Sequence, residues 1–117
     1  MRFLAILLFL PSLAFGGDWT KDDTLWQLAY TGVLAMDCAQ TRWGASHPKE
    51  FQEGNKLIGP YPSKGKIDNI CLGMALGHFG VSYALPLGYR RFWQFGSVMI
   101  EATVVFHNAS LGVKMEF

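Results

Sequence analysis

A chain of 117 residues in which half the side chains are apolar, 15% are aromatic and only 16% are charged lacks the charged coat, about a quarter of residues, of a typical soluble domain. The shortage matters at this size, because a small domain has much surface for its core, and four Trp and nine Phe are more than so small a core readily hides. A net charge of +1, with no basic stripe among the aromatics, gives no electrostatic case for a nucleic-acid partner.

Arg2 supplies a positive start, Phe3 to Phe15 is an apolar run broken by Pro11 and Ser12, and Ala14-Phe15-Gly16 offers small residues at the two positions a signal peptidase reads. This is the pattern of a secretory signal peptide over residues 1–16, and the run is short of the roughly 20 residues of a comfortable membrane span. An uncleaved short anchor is the alternative. Residues 17–117 are then expected to form one all-α domain, a three-helix transmembrane bundle.

The first helix is expected over about 20–43, with Thr20 and Asp23 as a capping box and Gly44 at its end. A loop rich in Gly, Pro and charge follows. Ser63 caps a second helix over about 63–85, closed by Pro86 and Gly88, and a third covers about 89–111. In the first helix Gln27, Tyr30, Thr31, Asp37 and Thr41 share one face at 100° per residue, and in the third Gln94, Ser97, Glu101 and Asn108 do the same. In the second, Gly73 and Gly77 form a small-x-x-x-small pair suited to close helix packing, with Cys71, His78 and Ser82 on the opposite side. The stripes hold amides and hydroxyls with one carboxylate each. A water-facing stripe would carry Lys, Glu and Arg instead. The expectation is therefore polar stripes turned inward and apolar faces turned to lipid. Trp19, Trp26, Trp43, Tyr61, Tyr89 and Trp93 near the helix ends resemble interfacial anchors, and Arg42, Lys49, Lys56, Lys64 and Lys66 around the first loop place that loop in the cytoplasm of a bacterial inner membrane, with the mature N-terminus outside. Arg90 and Arg91 run against this rule.

Asp37 and Glu101 are the first candidates for chemistry. A carboxylate at the centre of a bilayer costs roughly 2.5–3.5 kcal/mol on insertion scales, so each must be neutral, paired or hydrated. One reading is a proton or cation site, or an acid/base pair. The other is a polar clasp, Asp37 with Gln40 and Thr41, and Glu101 with Asn108 and His78. A cation site on Asp37, His78 and Glu101 lacks ligand-type spacing, so no metal or other cofactor is expected. Cys38 and Cys71 fall within helices and are expected as small buried side chains, with an inter-helix disulfide as the alternative in an oxidising compartment. No phosphate loop, nucleophile elbow or zinc-protease motif is present.

Asp37-Cys38-Ala39-Gln40-Thr41 near the end of a first helix, followed by Glu53-Gly54-Asn55, resembles a family of small bacterial integral-membrane proteins of unknown function. The family continues Asn-Pro where this chain has Asn55-Lys56. The resemblance implies a polytopic membrane protein and supplies no activity. Three functional expectations follow. The first is a non-enzymatic accessory or assembly component acting through helix contacts, with lipid, a second copy or another membrane protein as partner. The second is an intramembrane proton or ion site on Asp37, His78 and Glu101, in a transporter subunit or a membrane-embedded hydrolase. The third is an exported soluble helical binding protein.

Overall fold

The computed structural model describes residues 19–51 and 58–117, and these form an all-α fold of three helices: α1 (Lys21–Ala45), α2 (Lys64–Ala84) and α3 (Leu87–Ser110). The expected segment 1–16, and Glu53 and Asn55 of the loop, lie outside the described residues.

Each helix end has a chemical cause. At the start of α1 the Asp23 amide donates to Thr20 Oγ1 at 3.2 Å and the Thr20 amide donates to Asp23 Oδ2 at 2.9 Å. This reciprocal pair satisfies two otherwise orphaned donors. Ser63 Oγ accepts from the Lys66 amide at the start of α2. The helix ends at Leu85, held extended at φ −77°, ψ 142°, because the ring of Pro86 disfavours helical geometry in the residue before it. Pro86 then serves as the cap of α3, which is why that helix starts two residues earlier than its polar stripe implied. Beyond Ser110 the chain turns through Gly112 at φ +84°. The Val113 amide donates to Asn108 and the Gly112 amide to Ala109. This bonding pattern needs a left-handed residue, and glycine adopts it without strain.

The arrangement of polarity is inverted relative to an ordinary globular core. Tyr30, Leu34, Ala39, Ile58, Ile67 and Val105 are buried, but so are Asp23, Gln40, His78, Ser82, Arg90 and Gln94. Leu25, Leu28, Leu72, Leu76, Phe79, Phe92, Phe95, Ile100 and Phe106 are exposed. α1 is central. It packs most extensively on α3 and less on α2, while α2 and α3 touch each other least. Residues 112–117 fold back toward α1, where the Glu116 amide donates to the Ala39 carbonyl at 2.9 Å.

Two expectations are corrected. No helix among the described residues is long and apolar enough to cross a membrane. At 21 to 25 residues and about 1.5 Å rise each, length is not what fails. The polar side chains that line the helix–helix seams also dilute each helix, so the three transmembrane spans read from sequence are unsupported. Cys38 and Cys71 are not separate thiols either. A disulfide joins them across α1 and α2, with a Cα–Cα separation of 6.4 Å.

Candidate functional site

The inward polar groups gather in two clusters along α1. The first joins the starts of α1 and α3 to the end of α2. The carboxylate of Asp23 receives Arg90 Nη1 at 2.8 Å and lies 3.4 Å from Arg91 Nη2, and the side chains of Asp23 and Arg90 are fully covered. Arg90 Nε donates to the Ser82 carbonyl at 2.7 Å, and its guanidinium sits 5.4 Å from the Trp19 ring. Gln94 Nε2 donates to the Asp23 carbonyl at 3.2 Å. Burial pushes the Asp23 carboxyl up, but bonds from Thr20 and the neighbouring Arg90 outweigh it and hold the group below its ordinary value.

His78 belongs to this cluster. Its imidazole stacks on Tyr30 with centroids 3.6 Å apart and on Trp93 at 5.3 Å. Nδ1 is 2.8 Å from Gln27 Oε1. An amide oxygen only accepts, so the proton of the neutral ring sits on Nδ1. Burial pushes the imidazole down to about 4, because the low-dielectric surroundings disfavour the cation. The ring is therefore neutral over the ordinary pH range.

The second cluster lies further along α1 and α3. Gln40 Nε2 donates to the Val105 carbonyl at 3.0 Å. Asn108 Nδ2 donates to Gln40 Oε1 at 3.2 Å and reaches Asp37 Oδ1 at 3.5 Å. The Glu101 carboxyl is hydrogen-bonded to Asp37. Burial raises it, and the bond to Asp37 opposes that rise without cancelling it. Two carboxyl groups bond to each other only when a proton sits between them. The chemical capacity of the cluster is thus to hold one proton on a carboxyl pair at pH values where a free carboxylate has lost it. A cleft lined by Asp37, Thr41, Glu101, His107 and Asn108 opens beside the pair.

Of the sequence candidates, Asp37, Gln40, Glu101 and Asn108 come together. Thr41 stands beside them, but its hydroxyl donates to the Asp37 backbone carbonyl at 3.0 Å, one turn back in its own helix. His78 is engaged by Gln27 and two aromatic rings, so the three-residue cation site on Asp37, His78 and Glu101 is not assembled. No group of three or more His, Cys, Asp or Glu among the described residues could hold a metal ion. Gly73 and Gly77 pack against nothing. A Cβ built on either meets no atom within 4 Å. No other described residue approaches this face closely.

The Asp23–Arg90 pair is the feature sequence reasoning missed. In the sequence Asp23 reads only as a cap and Arg90 as a loop cation. The signal was present in the spacing: residues 23, 27 and 30, and residues 90, 94, 101 and 108, each continue the polar face of their helix. No family model matches the chain, and neither a curated protein nor a solved structure matches it.

Proposed function

We propose that this chain is a small non-enzymatic helical component that works at a membrane, with its apolar outer surface against lipid and its polar side chains packed inward. The single observation that supports this reading is the inversion of polarity. Fully covered Asp23, Arg90, Gln40 and Gln94 hold the helices together, while Phe92 and Phe106 stand 85% and 76% exposed. Exposed apolar surface on this scale marks an interaction with membrane or protein. Here it is distributed over all three helices instead of forming one patch, which fits a fluid apolar surrounding better than a single protein partner. The exposed aromatic residues near helix ends, Tyr61, Tyr89 and Trp93, support the same reading.

The test is fractionation of cells producing the full chain, followed by an alkaline carbonate wash. Retention in the membrane pellet until detergent is added is the expected result. Release into the carbonate supernatant as a monomer would overturn the reading and favour an exported soluble protein.

A second reading keeps the carboxyl pair as a proton-holding site. It is favoured by one observation, the Glu101–Asp37 bond beside an open cleft. Asp37→Asn and Glu101→Gln retain hydrogen bonding without charge. Under the accessory-component reading both variants keep fold and membrane retention with function unchanged. Loss of function with both of those intact would favour the proton site.

A further inference from the structure

The two halves of α2 are held by different means. Its C-terminal half is fixed by buried groups: His78 between Tyr30 and Trp93, Ser82 at 0% exposure, and the Ser82 and His78 carbonyls receiving Arg90 and Trp93. Its N-terminal half, residues 64–75, has one fully buried side chain, Ile67. Its polar and covalent ties to other described residues are two solvent-exposed ion pairs, Arg42–Asp68 and Lys64–Glu116, and the Cys38–Cys71 disulfide. Exposed ion pairs contribute little. A groove of about 390 Å³ lined by Leu34, Ala39, Asp68, Cys71 and Phe117 runs beside the bridge, so close packing does not take over its role.

We propose that the Cys38–Cys71 bridge is a redox-controlled tie for the N-terminal half of α2, and that the end of the bundle carrying it faces an oxidising compartment. The bridge forms by exchange with a protein disulfide. One cysteine thiolate attacks that disulfide, the other displaces the resulting mixed disulfide, and the donor leaves as a dithiol, having taken up two electrons and two protons. Disulfides of this kind persist where the surroundings are oxidising and are rare in the cytosol. The first loop leaves α1 seven residues after Cys38 and enters α2 seven residues before Cys71, so it lies at the same end. That orientation is the reverse of the one read from the loop cations. Two of those cations, Arg42 and Lys64, are engaged by Asp68 and Glu116.

The experiment uses the full chain in membranes from the producing cells. A maleimide carrying a polymer mass tag is added with and without a phosphine reductant. No tag before reduction and two tags after it are expected; tagging of both cysteines without reduction overturns the bridge. A membrane-impermeant reductant and maleimide applied to intact spheroplasts should label both positions from outside, and labelling only after lysis overturns the compartment assignment. Amide hydrogen exchange of the detergent-solubilised wild type then tests the tie. Reduction should speed exchange over residues 64–75 by roughly tenfold or more, as expected for a locally released segment, with residues 78–110 unchanged. A uniform change, or none, overturns the tie. The Cys38→Ser/Cys71→Ser variant should reproduce the exchange of the reduced wild type; the wild-type comparison stands even where that variant fails to fold.

Discussion

Asp23 and Arg90 show how strongly single residues are committed in this bundle. Removing one partner of a covered ion pair leaves the other uncompensated, at a cost of about 3–5 kcal/mol. Arg90→Ala is therefore expected to lower the free energy of denaturant unfolding by an amount in that range, and Asp23→Ala likewise, while the double change costs less than the sum. Strict additivity would show that the pair is not coupled. His78 gives a pH prediction of defined sign. Its folded value near 4 lies below the ordinary 6.5, so the unfolded chain binds more protons between these values. The stabilising contribution is full above about pH 6.5 and is lost as pH falls toward 4, up to about 3 kcal/mol. Glu101 works in the opposite sense. Its raised carboxyl makes the folded state the better proton binder above pH 4.5, so its contribution declines as pH rises from there. Comparing unfolding midpoints of the wild type and His78→Gln from pH 4 to 7 isolates the histidine: the variant should lose the rise in stability with pH. A histidine that is hydrated in the folded state would leave the two curves parallel.

At the scale of the helix, the elements were legible and their partners were not. Thr20, Ser63, Pro86 and Gly112 act locally, through caps and restricted dihedrals, so the three helices lie within about two residues of their sequence bounds. Inward polar stripes also follow from periodicity, but the clasp read from sequence grouped Asp37 with Gln40 and Thr41 and Glu101 with Asn108 and His78, whereas Asn108 bonds to Gln40 and Asp37, and Glu101 to Asp37. Pairing across helices depends on rotation and axial offset, which a single sequence does not encode locally. That is why His78 was assigned to Glu101 but is bonded to Gln27 and stacked on Tyr30. The same offset brings Cys38 and Cys71 together, which neither helix alone discloses. At a sequence separation of 33, the bridge should contribute about 3–4 kcal/mol by restricting the unfolded chain; reductant should lower the urea midpoint correspondingly. Gly73 and Gly77 give a second element-scale prediction. Because a Cβ meets nothing at either position, Gly73→Ala should raise stability by about 0.5–1 kcal/mol through helix propensity. Destabilisation together with loss of an oligomer in cross-linking would instead show that another copy covers this face.

The whole molecule is organised around a mismatch between its parts: each of the three helices alone is too polar to cross a membrane, yet among the described residues their outer faces expose many large apolar side chains. The mismatch is resolved only by assembly, which turns Gln40, His78, Arg90 and Gln94 inward and leaves Phe92, Phe95, Ile100 and Phe106 outside. On the proposed membrane reading, α1, α2 and α3 associate before or while they meet lipid, because a single helix would expose the polar stripe that its neighbours cover. The outer surface gives the discriminating measurement. Phe106 is 76% exposed, and no polar contact of the interior clusters involves it. Phe106→Lys should therefore leave helix content and the Cys38–Cys71 bridge intact in detergent, whatever the surroundings. Against lipid, the new charge costs up to about 2.5–3.5 kcal/mol at mid-depth and less near the interface, so the variant's retention after a carbonate wash should fall relative to wild type. Against water the same change is within about 0.5 kcal/mol of neutral, and retention equal to wild type, with the fold unchanged, would show that this face does not meet acyl chains.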